Sequence, residues 1–341
     1  MGQDEAETEA RWTPVVASRA DLPAIHALYE TIWGPGRSRA YLDWKLFGAP
    51  FDPLPPVIAL DGTRCVGVYA ALATPLVLDG AKVMGCQSVD TMTHPDFRRQ
   101  NMSVTLAKVC YAAAEARGFK LVYGMPNENS YPMFTKKLGW THADEVQRWV
   151  RPLAAPARLP GLLARPVSAL MTGYARAGRD PQAQVRRVEA STRFVVPAGP
   201  PPAARCHVDK SPAWFAWRYA AEPDGAYEQM IFGDPDAPDA LIVFEEIREA
   251  GAAPVLLVQE WLAVTAKHRL RAIKALAALA AARGCASVVV YTNDPQAGVL
   301  LRGALFFPRG GMPLGVAGFG PRADAAPLGK GELVVLGGDK D

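Results

Sequence analysis

Two stretches of the chain repeat one another, and that repeat constrains the fold more than any other feature. Ser38-Arg39-Ala40-Tyr41-Leu42-Asp43-Trp44-Lys45-Leu46 lies alongside Ser211-Pro212-Ala213-Trp214-Phe215-Ala216-Trp217-Arg218-Tyr219, and each block meets a proline twelve positions after its serine, Pro50 and Pro223. Farther on, Ala116-Arg117-Gly118 before the apolar run Leu121-Val122-Tyr123 is echoed by Ala282-Arg283-Gly284 before Val288-Val289-Val290-Tyr291, and Asn127 and Asn293 follow the two runs. Matched order and similar spacing at three points imply a duplication, hence two domains of one fold. A length of 341 residues, half of them apolar, accommodates two sizeable cores and excludes wholesale disorder.

Proline marks the joints. Residues 151–165, with Pro152, Pro156, Pro160 and nearby Pro166, and residues 196–205, with Pro197 and Pro200 to Pro202, break the periodic pattern, because proline removes a donor and fixes the backbone. Val167 to Arg176 between them is helical in character. The expected organisation is an N-terminal domain over 1–150, a proline-rich connector with a helix over 151–204, and a C-terminal domain over 205–341.

In the first half, Val15–Ala17 reads as a strand, Asp21–Trp33 as a helix capped by Asp21 or Ser18, and Arg39–Phe47 as a second helix. Val57–Leu60, Cys65–Leu72 and Val83–Thr93 read as strands, the first two split by the hairpin signal Asp61-Gly62. Met102, Leu106, Val109 and Ala113 recur at helical spacing in a segment that Gly118 closes. Leu121–Met125 is a buried strand, and Ser130–Leu138 a short helix ending at Gly139. The order is α/β, with antiparallel strands first and a βαβ unit later.

The segment Thr93-His94-Pro95-Asp96-Phe97-Arg98-Arg99-Gln100-Asn101-Met102-Ser103 carries the most chemical information. A strand end, a proline-restrained turn and a basic loop run into a helix. Such a junction aims backbone NH groups and the positive helix end at one point, as stabilisation of a pyrophosphate requires.

Here the chain resembles the GNAT (N-acetyltransferase) superfamily, whose cofactor loop has the form [QR]-x-x-G-x-[GA] after a strand end. Arg98 fills the first place, Asn101 the usual glycine and Ser103 the small residue. Asn127 stands where the family has an asparagine after its fifth strand, and Lys137-Leu138-Gly139-Trp140 is similar to its terminal element. Asn101 departs from the family glycine, but asparagine tolerates a left-handed backbone better than most residues.

The resemblance implies two GNAT-like domains, each a mixed, mostly antiparallel sheet flanked by helices. It also implies binding of acetyl-CoA or another acyl-CoA, without a metal. Its pyrophosphate would lie on Arg98, Arg99, Gln100, Asn101, Met102 and Ser103, its pantetheine beside Thr91, Met92 and Thr93, and its arm on Asn127.

Acyl transfer to an amine requires removal of an ammonium proton, stabilisation of an oxyanion, and a proton for the departing thiolate. Similar enzymes supply the last from a tyrosine, at a place that Phe134-Thr135 occupies in this chain. Tyr131, one helical turn earlier, is the nearest phenol, and is either the donor or a core tyrosine. Asp90 is a candidate base on a strand flanking the thioester, or else a cross-strand hydrogen-bonding residue. His94 at the loop shoulder is a third candidate, although His-Pro also serves turns. Ser130 is expected to cap its helix. Trp33, Tyr41 and Trp44 would line an acceptor pocket or belong to the core.

The second half has no comparable nest after its strand Val255–Val258, so the cofactor loop is expected to be degenerate there; Glu260 and Trp261 would face a shared cleft. Lys267, His268, Arg269 and Arg271 form the densest basic cluster, read as a solvated helix start.

Thirty-seven basic against thirty-four acidic residues, scattered, argue against nucleic acid as a partner. Five widely spaced cysteines without a C-x-x-C pair argue against a disulfide framework or zinc site. Met1 to Arg11 has no signal-peptide character, and no apolar run reaches the roughly 20 residues that span a bilayer. The expectation is a cytoplasmic N-acetyltransferase, monomeric or homodimeric. Its acceptor would be a primary amine on a small molecule: an amino sugar, an aminoglycoside-like compound or an amino-acid derivative. The rivals are a catalytically inactive acyl-CoA sensor and a Fem-like aminoacyl transferase, the latter requiring tRNA binding.

Overall fold

The structure, a computed structural model, describes residues 11–155, 160–199, 202–320 and 328–339. The leader Met1 to Ala10 and the punctuating Pro156, Pro200 and Pro201 lie outside the described residues. The first half runs β1 (Thr13–Val16), α1 (Leu22–Trp33), α2 (Arg39–Phe47), β2 (Val57–Asp61), β3 (Arg64–Leu78), β4 (Ala81–Thr93), α3 (Met102–Ala116), β5 (Leu121–Gly124), α4 (Tyr131–Lys137) and β6 (Thr141–Pro152). After α5 (Gly161–Arg176), β7 (Ala183–Arg187) and β8 (Cys206–Val208), the second half repeats the pattern. It runs α6 (Pro212–Phe215) continued by a π-helical turn, β9 (Tyr227–Asp234), β10 (Ala237–Ile247), β11 (Val255–Ala263), α7 (Ala266–Ala282), β12 (Ser287–Thr292), α8 (Pro295–Gly303), β13 (Phe307–Gly318) and β14 (Leu333–Val334).

Local chemistry explains most boundaries. Ser18 forms a capping box with Asp21 around a 3-10 turn, so α1 starts at Leu22, and Asp21 makes no cap with its side chain. β3 continues past the expected end at Leu72, because the hairpin to β4 turns at Asp79-Gly80, both at positive φ, and pairs Leu78 with Ala81.

The strands join one sheet in the order β1-β2-β3-β4-β5-β13-β6-β12-β11-β10-β9-β7. It is mostly antiparallel, with parallel pairing of β4 with β5 and of β11 with β12. At its centre the two halves exchange their last strands. β13 from the second half pairs with β5 of the first (Val316 opposite Tyr123), while β6 of the first half pairs with β12 of the second (Val150 opposite Val289). Each exchanged strand covers an edge that would otherwise present unpaired NH and CO groups.

On one face, α1, α2, α6 and the π-helical turn pack over a shared core. On the other, α3 and α4 cover the first half and α7 and α8 the second. The repeat is structural as well as sequential: Ser38 caps α2 by accepting from Tyr41 N, and Ser211 caps α6 by accepting from Trp214 N. The equivalent tryptophans Trp44 and Trp217 stack on each other with ring centres 5.3 Å apart, and Trp44 Nε1 donates to Trp217 O.

Residues 151–204, read as a connector, build onto the second half. β6 continues through Pro152, α5 packs on α7, and β7 adds an edge strand to β9. The clasp is Asp180, which accepts from Arg271 through both oxygens; this hydrogen bonding holds its carboxyl below the usual aspartate range. The clasp therefore stabilises fully above about pH 4 and is lost as pH falls through the lower folded value. Asp180→Asn is expected to lower the melting midpoint at neutral pH, with the gap to wild type closing in melts recorded progressively below about pH 4.

Candidate functional site

Between β4 and α3 the chain makes a 3-10 turn over Pro95–Phe97 and then adopts left-handed backbone twice, at Arg99 (φ 65°) and Asn101 (φ 54°). Asparagine takes the left-handed place that the family fills with glycine. Val104 and Thr105 donate to Asn101 O, which leaves Met102 and Ser103 as first-turn amides with no intrahelical acceptor. Arg98 and Arg99 are exposed beside them, and Lys137 Nζ at the end of α4 donates to Asn101 Oδ1 at 2.6 Å. Trp12 Nε1 donates to Gln100, and Thr93 Oγ1 meets Ser103 Oγ at 3.1 Å, so the loop is tied on both flanks. Met102 is buried against Gly67 of β3, where a Cβ would collide with its sulfur; Gly67 thereby seats the helix start on the sheet.

β4 and β5 pair only at Cys86–Val122 and Gln87–Tyr123, then part. Beyond Gln87, the side of β4 that faces β5 has no strand partner among the described residues, and β4 bulges at Asp90 (φ 39°), where two of its residues oppose Tyr69. Thr91 and Thr93 border this gap through partly exposed positions, whereas the Met92 side chain is buried in the core and only its main chain is offered.

The side chains proposed for proton transfer are spread around the gap. Asp90 is almost buried and pairs with Lys45 Nζ of α2 at 2.8 Å, an interaction that α2's placement decides. His94 has both ring nitrogens engaged at the loop shoulder: Arg64 donates to Nε2 at 2.6 Å and the Asp96 backbone NH lies 3.3 Å from Nδ1, which it faces as a donor. Tyr131 lies at the start of α4 with its hydroxyl 3.0 Å from His142 Nδ1 of β6, and His142 Nε2 faces Glu145 at 3.8 Å.

Asn127 Oδ1 accepts from the amides of Asn129 and Ser130 and so closes the turn before α4, while the expected cap from the Ser130 side chain does not form. Tyr41 and Trp44 are core, while Trp33 is half exposed. Beneath the gap, Tyr69, Tyr111, Ser88 and Trp140 form one hydrogen-bonded cluster, and burial pushes both phenols up. The Trp140 indole lies against Gly124 of β5 and Gly315 of β13, where a Cβ would come within 3.1 and 2.6 Å of it.

In the second half, β11 and β12 part after Val258–Val290, but only Val264 and Thr265 separate β11 from α7, too few for a nest. Three of the four basic residues there face acidic side chains: Arg269 binds Asp294, Arg271 binds Asp180, and His268 lies 3.9 Å from Asp239. The gap is filled by the chain's own end. Asn293, the repeat of Asn127, donates to Leu333 O and accepts from Val335 N, and Thr292 Oγ1 donates to Val335 O.

Gly337 and Gly338 then lie so close to Val258, Glu260 and Tyr219 that a Cβ would collide at either position. Asp339 ends buried on Lys210, which also donates to Glu260 Oε1. Burial opposes the Lys210 charge, but Asp339 and Glu260 more than offset it and hold the amine above its ordinary value. Glu260 and Trp261, expected at a shared cleft, are both fully buried. A cavity of about 580 Å³ remains beside this tail, lined by Pro197, Trp261, Arg269, Leu300 and Leu336 among others. It lies away from the Asn101 loop. The first half nonetheless holds the cofactor-type geometry, because the left-handed loop and the unpaired margin of β4 occur there.

Residues 16–143 match the family model described as an acetyltransferase (GNAT) domain. No curated protein matches the chain by sequence. Among solved structures, the fold is similar to a GCN5-related N-acetyltransferase from Anabaena variabilis (12% identity, 90% of this chain and 72% of that one, TM-score 0.62). It is also similar to a probable N-acyltransferase from Enterococcus faecalis (10% identity, 90% and 72%, TM-score 0.61). A third likeness is to N-myristoyltransferase from Saccharomyces cerevisiae, solved with bound myristoyl-CoA (9% identity, 92% and 80%, TM-score 0.61). At these identities the likenesses are of fold. The matched acetyltransferase (GNAT) domain falls within the first half, and the similarity across the rest of the chain is one of fold.

Because Trp140 is rigid and hydrogen-bonded, Gly315→Ala is expected to destabilise the protein by about 1–3 kcal/mol, read from denaturant midpoints. With its second gap filled, the chain is expected to take up no more than one acyl-CoA in calorimetric titration.

Proposed function

We propose that the first half binds an acyl-CoA, with acetyl-CoA the first choice, and passes the acyl group directly to a primary amine of a small molecule. The observation that carries this reading is the left-handed Asn101 at the mouth of the β4–β5 gap. The amides of Met102 and Ser103 would receive the pyrophosphate, with Arg98, Arg99 and Lys137 supplying positive charge. The pantetheine, an amide-bearing chain, would pair with the free margin of β4. An NH of that margin would serve the oxyanion, and Tyr131 would protonate the departing thiolate. Asp90, already paired with Lys45, fits the positioning of α2 against the β4 bulge better than it fits the role of base. An amino sugar, aminoglycoside-like or amino-acid-derived acceptor matches the half-exposed Trp33 and the helices around it.

One observation favours a second reading, an acyl-CoA-binding protein without turnover. Phe134, at the place of the family tyrosine, is buried against Trp140 with ring centres 4.5 Å apart. Thiol release from acetyl-CoA across an amine panel separates the two readings, since a sensor binds without releasing thiol. Arg98→Glu is expected to weaken acetyl-CoA binding at least tenfold by calorimetry, about 1.4 kcal/mol, while Asn101→Gly preserves or improves it. Unchanged affinity in the Arg98→Glu protein would overturn the loop assignment.

A further inference from the structure

We infer that His142 is the proton-holding partner of Tyr131 and that Glu145 sets the state of its ring; this rests on Tyr131 acting in the proposed transfer. In a regular strand, residues three apart face opposite sides. β6 departs from that rule at Ala143: Leu314 of β13 pairs with Asp144 and Gly315 with His142, leaving Ala143 unopposed. The bulge brings His142 and Glu145 to the same side, with His142 Nδ1 3.0 Å from the Tyr131 hydroxyl and Nε2 3.8 Å from Glu145 Oε1. A hydroxyl donating to Nδ1 requires the neutral ring to carry its hydrogen on Nε2, the side that Glu145 faces. Among the described residues, the titratable groups in contact with the ring are Tyr131 of α4 and Glu145 of β6; β13 presents uncharged Gly315 opposite.

This geometry carries a proton both ways. As the amine attacks, its N–H bond breaks and Tyr131 takes that proton on its oxygen while its own phenolic proton passes to His142 Nδ1. Glu145 then faces an imidazolium. When the carbon–sulfur bond breaks, Tyr131 gives its proton to sulfur and His142 returns one to the phenol oxygen. One proton has moved from nitrogen to sulfur, and the pair ends as it began. His142 and Glu145 are 45% and 47% exposed, so their contact contributes little to the fold, and its removal reads on chemistry rather than on stability.

The test uses the full chain, acetyl-CoA, and glucosamine, kanamycin and lysine as acceptors, following thiol release against pH. Tyr131→Phe and His142→Gln are each expected to lower kcat at least tenfold, with acetyl-CoA affinity within twofold of wild type and an unchanged melting midpoint. His142→Gln also flattens the acid limb of the kcat profile. Glu145→Gln is expected to lower kcat less than His142→Gln does, again without a change in acetyl-CoA affinity. If Tyr131→Phe loses turnover while His142→Gln keeps the wild-type rate and profile, the inference fails and the transferase reading stands. Wild-type turnover in Tyr131→Phe, or no thiol release with any acceptor, removes Tyr131 from the chemistry and the inference with it.

Discussion

The antiparallel pairing of β6 with β13 is the contact on which the rest of the molecule depends. These strands belong to different halves, yet they lie side by side at the centre of the sheet, each completing the other half's edge. The gap beside β4 exists because β5 is held from its far side by β13, and Trp140, which floors that gap, needs the glycines of both strands. The candidate site is thus a product of both repeats, although its loop belongs to one. Across the opposite face, the stacked Trp44 and Trp217 fasten the repeated helices, so the halves are joined through two layers at once.

Duplication followed by divergence accounts for the differing gaps. Both halves part their parallel strands after a short pairing and both place an asparagine just beyond. In the first half that asparagine closes the turn before α4 and the loop of residues 94–101 precedes α3; in the second it grips the main chain of residues 333–335, and the loop is cut to Val264 and Thr265. An extended polypeptide bonded to Asn293 demonstrates that such a gap accepts an amide-bearing chain. That supports the proposed path of pantetheine beside β4.

Much of this was legible in the sequence for physical reasons. The repeated blocks at Ser38 and Ser211 showed in the sequence and begin equivalent helices in the structure, since a capping hydroxyl works through local geometry, and Asn101 suited a left-handed position for an equally local reason. What stayed hidden is non-local. Lys45 and Asp90 read as unrelated charges until α2 is laid on β4. The strand exchange cannot be read from β6 or β13, since their periodicity suits either neighbour. No residue signals the bulge at Ala143, and regular alternation would put His142 and Glu145 on opposite faces of the strand. Gly337-Gly338 carries no signal of burial of its own; the apolar run Leu333 to Leu336 before it is the available hint.

The exchanged strands also bear on biogenesis. Thr141 and Val316 meet across 175 positions of chain, so the first half emerges from the ribosome with its sheet open beside β5 and must wait for β13. During that interval an apolar margin is exposed to other nascent chains, and slow translation of the second half would lengthen the exposure. Attempts to express the first half alone would meet the same hazard permanently, which favours producing the two repeats as one polypeptide.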